Sequence, residues 1–179
     1  SMMSIPWLRH DENVFWLSRT AYSLELIVLW QLKVRSKGKL IIWFPDYFCN
    51  AALEPLRNST VSLMFYPITT EYGVVASDLE ELAALGVPDI VVNVHFFGTP
   101  CGNDTLRNFC INHNCLFVAD AAHVLRPSDG IGNEGDCVLY SPHKHLPIRD
   151  GAALVVRKNG PSQLGYSDGS LDTLTSIYD

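Results

Sequence analysis

Along the chain, short runs of consecutive apolar residues alternate with stretches whose apolar residues recur at helical spacing, and Gly, Pro, Asn and Asp punctuate the two. A short continuous apolar run bounded by turn residues reads as a strand covered on both faces, whereas apolar positions three and four apart read as one face of a helix. KLIIWF, TVSLMFY, DIVVNVHF, CLFVAD, DCVLYS and GAALVVRK are of the first kind. SRTAYSLELIVLWQLKVRSKG is of the second, and its good helix formers and terminating Gly38 predict a helix from about Thr20 to Ser36. YFCNAALEPLRN predicts a helix interrupted by Pro55, SDLEELAALG one capped by Ser77 and closed by Gly86, and NDTLRNFCINHN another after the turn GTPCG. Strands alternating with helices are the signature of an α/β protein with a mainly parallel sheet. There is no internal repeat. The tail from Gly160 has turn residues and weak periodicity and is expected to be a loop or linker.

With 179 residues, 47% of them hydrophobic, the chain can bury a full core, and its length favours one domain. Thirteen Lys and Arg against nineteen Asp and Glu give a net charge of −6 with no basic run, which argues against a nucleic-acid partner. The five cysteines, Cys49, Cys101, Cys110, Cys115 and Cys137, are odd in number and lack paired C-x-x-C spacing. Reduced, structural thiols in a cytoplasmic protein, with no bound metal, are the expectation. The richest apolar stretch, Leu24 to Leu32, is broken by Glu25 and Gln31. It is far shorter than the ~20 residues a spanning helix needs, so no membrane segment is expected. SMMSIPW has neither the basic start nor the long apolar run of a signal peptide.

Chemically distinctive residues fall at the carboxyl ends of the predicted strands, where open α/β sheets put their ligand sites. Asp120 ends CLFVAD, His95 ends DIVVNVH, and Ser141 and Lys144 follow DCVLY. Taken alone, Asp120 is either a buried carboxylate in need of a partner or the N-cap of a helix starting at DAAHVL. Lys144 taken alone reads first as a solvated loop lysine.

Taken together and in order, LSRTAYSLEL, FPDYFCN, NVHFFGTPCG, VADAAHVL and YSPHKHLPIRDGAALVV resemble the fold type I pyridoxal 5'-phosphate (PLP) transferases, most closely the DegT/DnrJ/EryC1/StrS sugar aminotransferases. The resemblance runs from about Ser18 to Val156. It implies a mainly parallel, seven-stranded-type sheet flanked by helices in a cofactor-binding large domain over residues 1–158, and a tail over 159–179 leading towards a C-terminal domain that the chain lacks. It implies PLP as cofactor. Lys144, in S-x-H-K, matches the lysine that forms the Schiff base (internal aldimine) and shuttles the proton. Asp120 matches the carboxylate that keeps the pyridine nitrogen protonated. His123 falls where the family often has Gln or His near the cofactor phenol oxygen. The backbone amides of Arg19 and Thr20, with the hydroxyls of Thr20 and Ser141, match the phosphate donors. Either Tyr47 or Phe48 matches the aromatic lid over the ring. His95, His143 and His145 belong to the motifs, with packing or hydrogen bonding as their other reading.

Ser18-Arg19-Thr20 departs from the Ser-Gly-Thr of many relatives, and Ser141 and Lys144 stand closer together than in many of them; the S-x-H-K spacing also occurs in other fold type I branches, including the cysteine desulfurases. The implied activity is that of a PLP-dependent aminotransferase acting on a nucleotide-linked keto-sugar with an amino donor. The alternatives are a noncatalytic or truncated relative, or another fold type I enzyme such as a lyase or desulfurase. A plain doubly wound nucleotide-binding domain is disfavoured, since G-x-G-x-x-G and phosphate-loop glycine patterns are absent. The resemblance further implies a homodimer whose sites are completed across the two-fold axis. Trp7, Phe15 and Trp16 of IPWLRHDENVFWL, or the loops near Tyr47 and Phe48, are expected at or near that interface. Alternatively, the tryptophans cover the sheet edge of a monomer.

Overall fold

Runs such as LFVA become strands because they are too short for a helix and are covered by apolar side chains on both sides. The structure, a computed structural model, describes residues 6–8 and 12–157. The tail expected over 159–179 lies outside the described residues. The chain runs β1 (Glu12–Leu17), α1 (Thr20–Val34), β2 (Leu40–Pro45), a 3₁₀ helix (Asn50–Leu56), β3 (Val61–Tyr66), α2 (Ala76–Ala83), β4 (Ile90–Val94), α3 (Asn103–His113), β5 (Leu116–Asp120), β6 (Cys137–Tyr140) and β7 (Ala152–Arg157), with short 3₁₀ turns at Phe96–Gly98 and Pro142–Lys144. One seven-stranded sheet has the order β1-β7-β6-β5-β4-β2-β3. All pairs are parallel except those of β7, which runs antiparallel to both β6 and β1.

Side chains alternate between the two faces with the period of two that a strand imposes. On one face, Ile42, Phe44, Val92, Val118 and Leu139 meet Leu26, Ile27 and Trp30 of α1 and Leu53 and Leu56 of the 3₁₀ helix. On the other, Trp43, Val91 and Phe117 meet Leu79 of α2 and Leu106 and Phe109 of α3. Each fully buried side chain of this size stabilises the fold by roughly 1.5–3 kcal/mol. α1 is buried on more than one side because it lies between the sheet and the 3₁₀ helix, which explains its nearly unbroken apolar sequence.

The local boundaries differ from the expectations in informative ways. β1 was hidden by its alternating pattern, which mixes Glu12 and Asn13 with Phe15 and Leu17. It is an edge strand, and Glu12 is held by Arg157 of β7, whose Nε donates to Glu12 Oε1 at 2.9 Å. Arg157 also donates to the carbonyls of Gly132, Glu134 and Gly135, so it ties the edge strand to the glycine-rich loop. The segment with Pro55 forms only the 3₁₀ helix, beginning at Asn50, and Tyr47 and Phe48 therefore sit in the loop before it. α1 ends at Val34, and the left-handed residue beyond it is Ser36 (φ 51°) rather than Gly38. Val75, not Ser77, occupies the N-cap of α2. No helix starts at Asp120.

The link from β2 to β3 lies on the α1 face, whereas α2 and α3, which lead into and out of β4, lie on the opposite face. The connections diverge at the carboxyl ends of β2 and β4, and such a switch point leaves an open crevice.

Candidate functional site

The carboxyl ends of β1, β2, β4, β5 and β6 and the amino end of β7 share one edge of the sheet, because β7 alone is reversed. Two adjoining cavities open there, of ≈ 240 and ≈ 360 Å³. Ser18, Arg19, Thr20, Ser141 and Arg149 line the smaller; Tyr47, Phe96, Phe97 and His123 line the larger. Phe48, Cys49, Asp120 and Lys144 belong to both.

The smaller cavity ends at the start of α1. Arg19 at its N-cap is extended (φ −147°, ψ 151°) and no side chain caps the helix, so first-turn amides remain for an anion. Ser141 follows β6 and is fully buried from solvent. Its Oγ lies 3.1 Å from Nδ1 of His143, and that nitrogen lies 2.9 Å from the carbonyl of Gly151.

Asp120 ends β5, and its Oδ1 accepts the N–H of Ala122 at 2.9 Å. This is the bond a helix cap would make, in a turn that starts no helix. Burial raises the Asp120 pKa above its ordinary value, against the Ala122 hydrogen bond and the charges of Lys144 and His123. An opposing cation at the crevice is what such a carboxylate needs. In His123, Nδ1 accepts the N–H of Phe97 at 2.9 Å. Burial, and then the charge of Lys144, lower its pKa below 6.5. His145 stands behind, with Nε2 donating to the Ala122 carbonyl at 3.2 Å.

Both aromatic candidates reach the crevice in different ways. Phe48 lies 4.6 Å from Phe44, packed on the core, and forms a wall of both cavities. Tyr47 is 59% exposed and stands on the rim, 5.5 Å from Phe96. His95 lines neither cavity. It is 1% exposed, neither ring nitrogen has a hydrogen-bond partner among the described residues, and burial lowers its pKa to about 4.

Sequence reasoning missed Arg149, Phe97 and Cys49. Cys110, Cys115 and Cys137 are buried in the core, whereas Cys49 is exposed and lines both cavities. Its place in FPDYFCN, directly after the aromatic pair, was the available signal. Arg149 carried none, since an arginine beside an Asp-Gly turn reads as solvated. Among the described residues no group of three or more His, Cys, Asp or Glu is placed to hold a metal ion.

No model of a known protein family matches the chain, and no curated protein matches its sequence. Solved structures do match its fold. A DegT DnrJ EryC1 StrS aminotransferase from Brucella abortus superposes with a TM-score of 0.68 at 16% identity, over 92% of this chain and 44% of that one. DesI, in the presence of its TDP-sugar product, gives 0.65 at 23% identity, over 96% and 41%. The E. coli GDP-4-keto-6-deoxy-D-mannose-3-dehydratase with bound hydrated PLP gives 0.64 at 14% identity, over 84% and 41%. The chain thus spans about two fifths of the length of the structures it matches. What it shares with all three is the fold: helices flanking a mostly parallel seven-stranded sheet.

Proposed function

We propose that the chain is the cofactor-binding part of a PLP-dependent aminotransferase of the DegT/DnrJ/EryC1/StrS type, acting on a nucleotide-linked keto-sugar. The observation that carries this reading is that Asp120 and Lys144 line both cavities of one crevice, with the open α1 N-terminus at one end and an aromatic wall beside them. A phosphate suits the amide and hydroxyl donors of Arg19, Thr20 and Ser141, and a pyridine nitrogen suits the half-buried Asp120. When bound, PLP supplies an aldehyde that captures amines and a protonated ring that withdraws electrons from the substrate carbon. Lys144 would provide the amine that holds the aldehyde and would be the group to move the proton at the substrate carbon. Asp120 would keep the proton on the ring nitrogen, Phe48 would cover the ring, and His123 would offer an N–H to an anionic oxygen.

The reading extends to a cytoplasmic homodimer, with residues 1–158 as the cofactor domain and 159–179 leading to a further domain. Trp16 of β1, 52% exposed and 5.2 Å from Trp7, supports an interface at this edge, and sedimentation with PLP present checks it. Among the described residues no helix is long and apolar enough to cross a membrane. The central test adds PLP, reduces with borohydride and maps the labelled peptide. Label on Lys144, absent from Lys144→Ala, is the expected result; the same label in the variant defeats the reading. Conversion of the bound cofactor to its amine form by glutamate separates the enzyme from a noncatalytic relative.

The exposed Cys49, which lines both cavities together with Lys144, favours one second reading, a sulfur-transferring fold type I enzyme. Sulfide released from cysteine in the presence of an added thiol reductant, and lost in Cys49→Ala, would establish it. Aminotransfer that survives the substitution supports the first reading.

A further inference from the structure

We propose that the side chain of Arg149 binds the dianionic phosphate at the start of α1, and that His143 positions it there. This rests on the cofactor reading above for what carries the phosphate. The loop before β7 is fastened to the site at two points. Gly151 donates its N–H to the carbonyl of Ser18, immediately before α1, at 2.9 Å. The Gly151 carbonyl faces Nδ1 of His143 at 2.9 Å. Gly151 has φ +136°, a conformation that favours glycine. Arg149 is only two residues from this anchor, and it lines the cavity together with Ser18, Arg19 and Thr20.

A carbonyl only accepts, so Nδ1 of His143 carries a proton. Ser141 Oγ, 3.1 Å from that same nitrogen, therefore does not donate to it. Its O–H has no other acceptor among the described residues, although Ser141 is fully buried from solvent and lines the cavity. A buried hydroxyl without an acceptor is costly, and an anion in the cavity would satisfy it. The same anion would meet the uncapped amides of α1 and the guanidinium of Arg149, whose planar fork matches phosphate oxygens. Among the described residues no carboxylate lies within ion-pair distance of Arg149 or Arg19. Asp120 and Asp150 also line the cavity, against Arg19, Lys144 and Arg149. The balance is cationic before the helix N-terminus is counted.

The test titrates wild type, Arg149→Gln, Arg149→Lys and His143→Ala with PLP, with pyridoxal, which lacks the phosphate, and with inorganic phosphate. Capture on Lys144 is read by absorbance and borohydride fixation, and phosphate binding by calorimetry. Loss of one charge-assisted donor weakens binding by about ten- to a hundredfold. Arg149→Gln should lose that much affinity for PLP and for inorganic phosphate while capturing pyridoxal as wild type does. Arg149→Lys should recover part of the loss, and His143→Ala should show the same selectivity for the phosphate. Equal losses for PLP and pyridoxal, or unchanged PLP affinity, overturn the inference. If wild type captures neither aldehyde on Lys144 yet binds inorganic phosphate through Arg149, the cofactor reading falls and the anion site stands.

Discussion

The backbone N–H of Phe97 donates to Nδ1 of His123 at 2.9 Å. A backbone amide is only a donor, so Nδ1 presents its lone pair and the ring proton of the neutral histidine sits on Nε2. The geometry that achieves this is strained. Phe97 has φ 54° and ψ 22°, left-handed values that cost a bulky residue on the order of 1–3 kcal/mol. Gly98 follows at φ +75°, where a Cβ would press to 3.1 Å from Val124 Cγ1 and 3.3 Å from the His123 carbonyl. The turn after β4 is bent so that it grips the histidine after β5.

His123 should therefore be a neutral donor through Nε2 at neutral pH. Burial and, next, the Lys144 charge disfavour the imidazolium, while Asp120 favours it. Nitrogen-15 spectra of the protein should show the Nε2–H tautomer, with a titration midpoint below 6.5. In Lys144→Ala the midpoint should rise, because a repelling cation is gone. A proton on Nδ1, or a midpoint indifferent to Lys144, would contradict this account.

Asp120 couples stability to chemistry through two different atoms' worth of function, and two substitutions separate them. Asp120→Asn keeps an acceptor for the Ala122 N–H and removes a charge that burial disfavours. Its stability should stay near that of wild type, while on the proposed reading any aminotransfer falls by about a hundredfold or more, the scale for losing a positioned electrostatic group. Asp120→Ala leaves the Ala122 N–H without its acceptor and should cost roughly 1–3 kcal/mol in denaturant unfolding. An Asp120→Asn protein with wild-type turnover would remove Asp120 from the mechanism.

The sheet was legible because its strands are covered on both faces, so CLFVAD and DIVVNVHF are nearly uninterrupted apolar runs. β1 was not, because an edge strand mixes Glu12 and Asn13 with its apolar residues and its register depends on Arg157 far along the chain. At the site, Asp120, Ser141 and Lys144 stood out as polar residues at strand ends, a position that local pattern reveals. Arg149 and Cys49 enter the crevice only because β7 is antiparallel and the segment before Asn50 stays out of the helix. Neither fact is local, since each follows from how distant segments pair and pack. The ambiguity between Tyr47 and Phe48 was of the same kind, because only the position of Phe44 separates a wall from a rim.

His95 ends the hydrogen-bonded run of β4, its N–H donating to the Asp120 carbonyl at 3.0 Å, and its ring is buried with neither nitrogen bonded to a described residue. Burial lowers its pKa from 6.5 to about 4. In the unfolded chain the ring takes up a proton near pH 6.5, whereas in the folded protein it refuses one until about pH 4. The unfolded state thus binds more protons between these values, and stability falls as the pH drops through that window. Above pH 6.5 the effect vanishes. At pH 5 it amounts to roughly 2 kcal/mol, from about 1.4 kcal/mol for each pH unit below the unfolded pKa. Asp120, whose pKa is raised, opposes the trend, so the whole-protein curve mixes the two. A difference measurement isolates the histidine. His95→Leu removes the titrating ring and leaves Asp120 in place, and urea unfolding of both proteins at pH 7 and pH 5 should show the variant losing about 2 kcal/mol less on acidification. Parallel losses in the two proteins would mean that His95 protonates in the folded state as readily as in the unfolded one, and that the ring has a partner or solvent access when the protein is in solution.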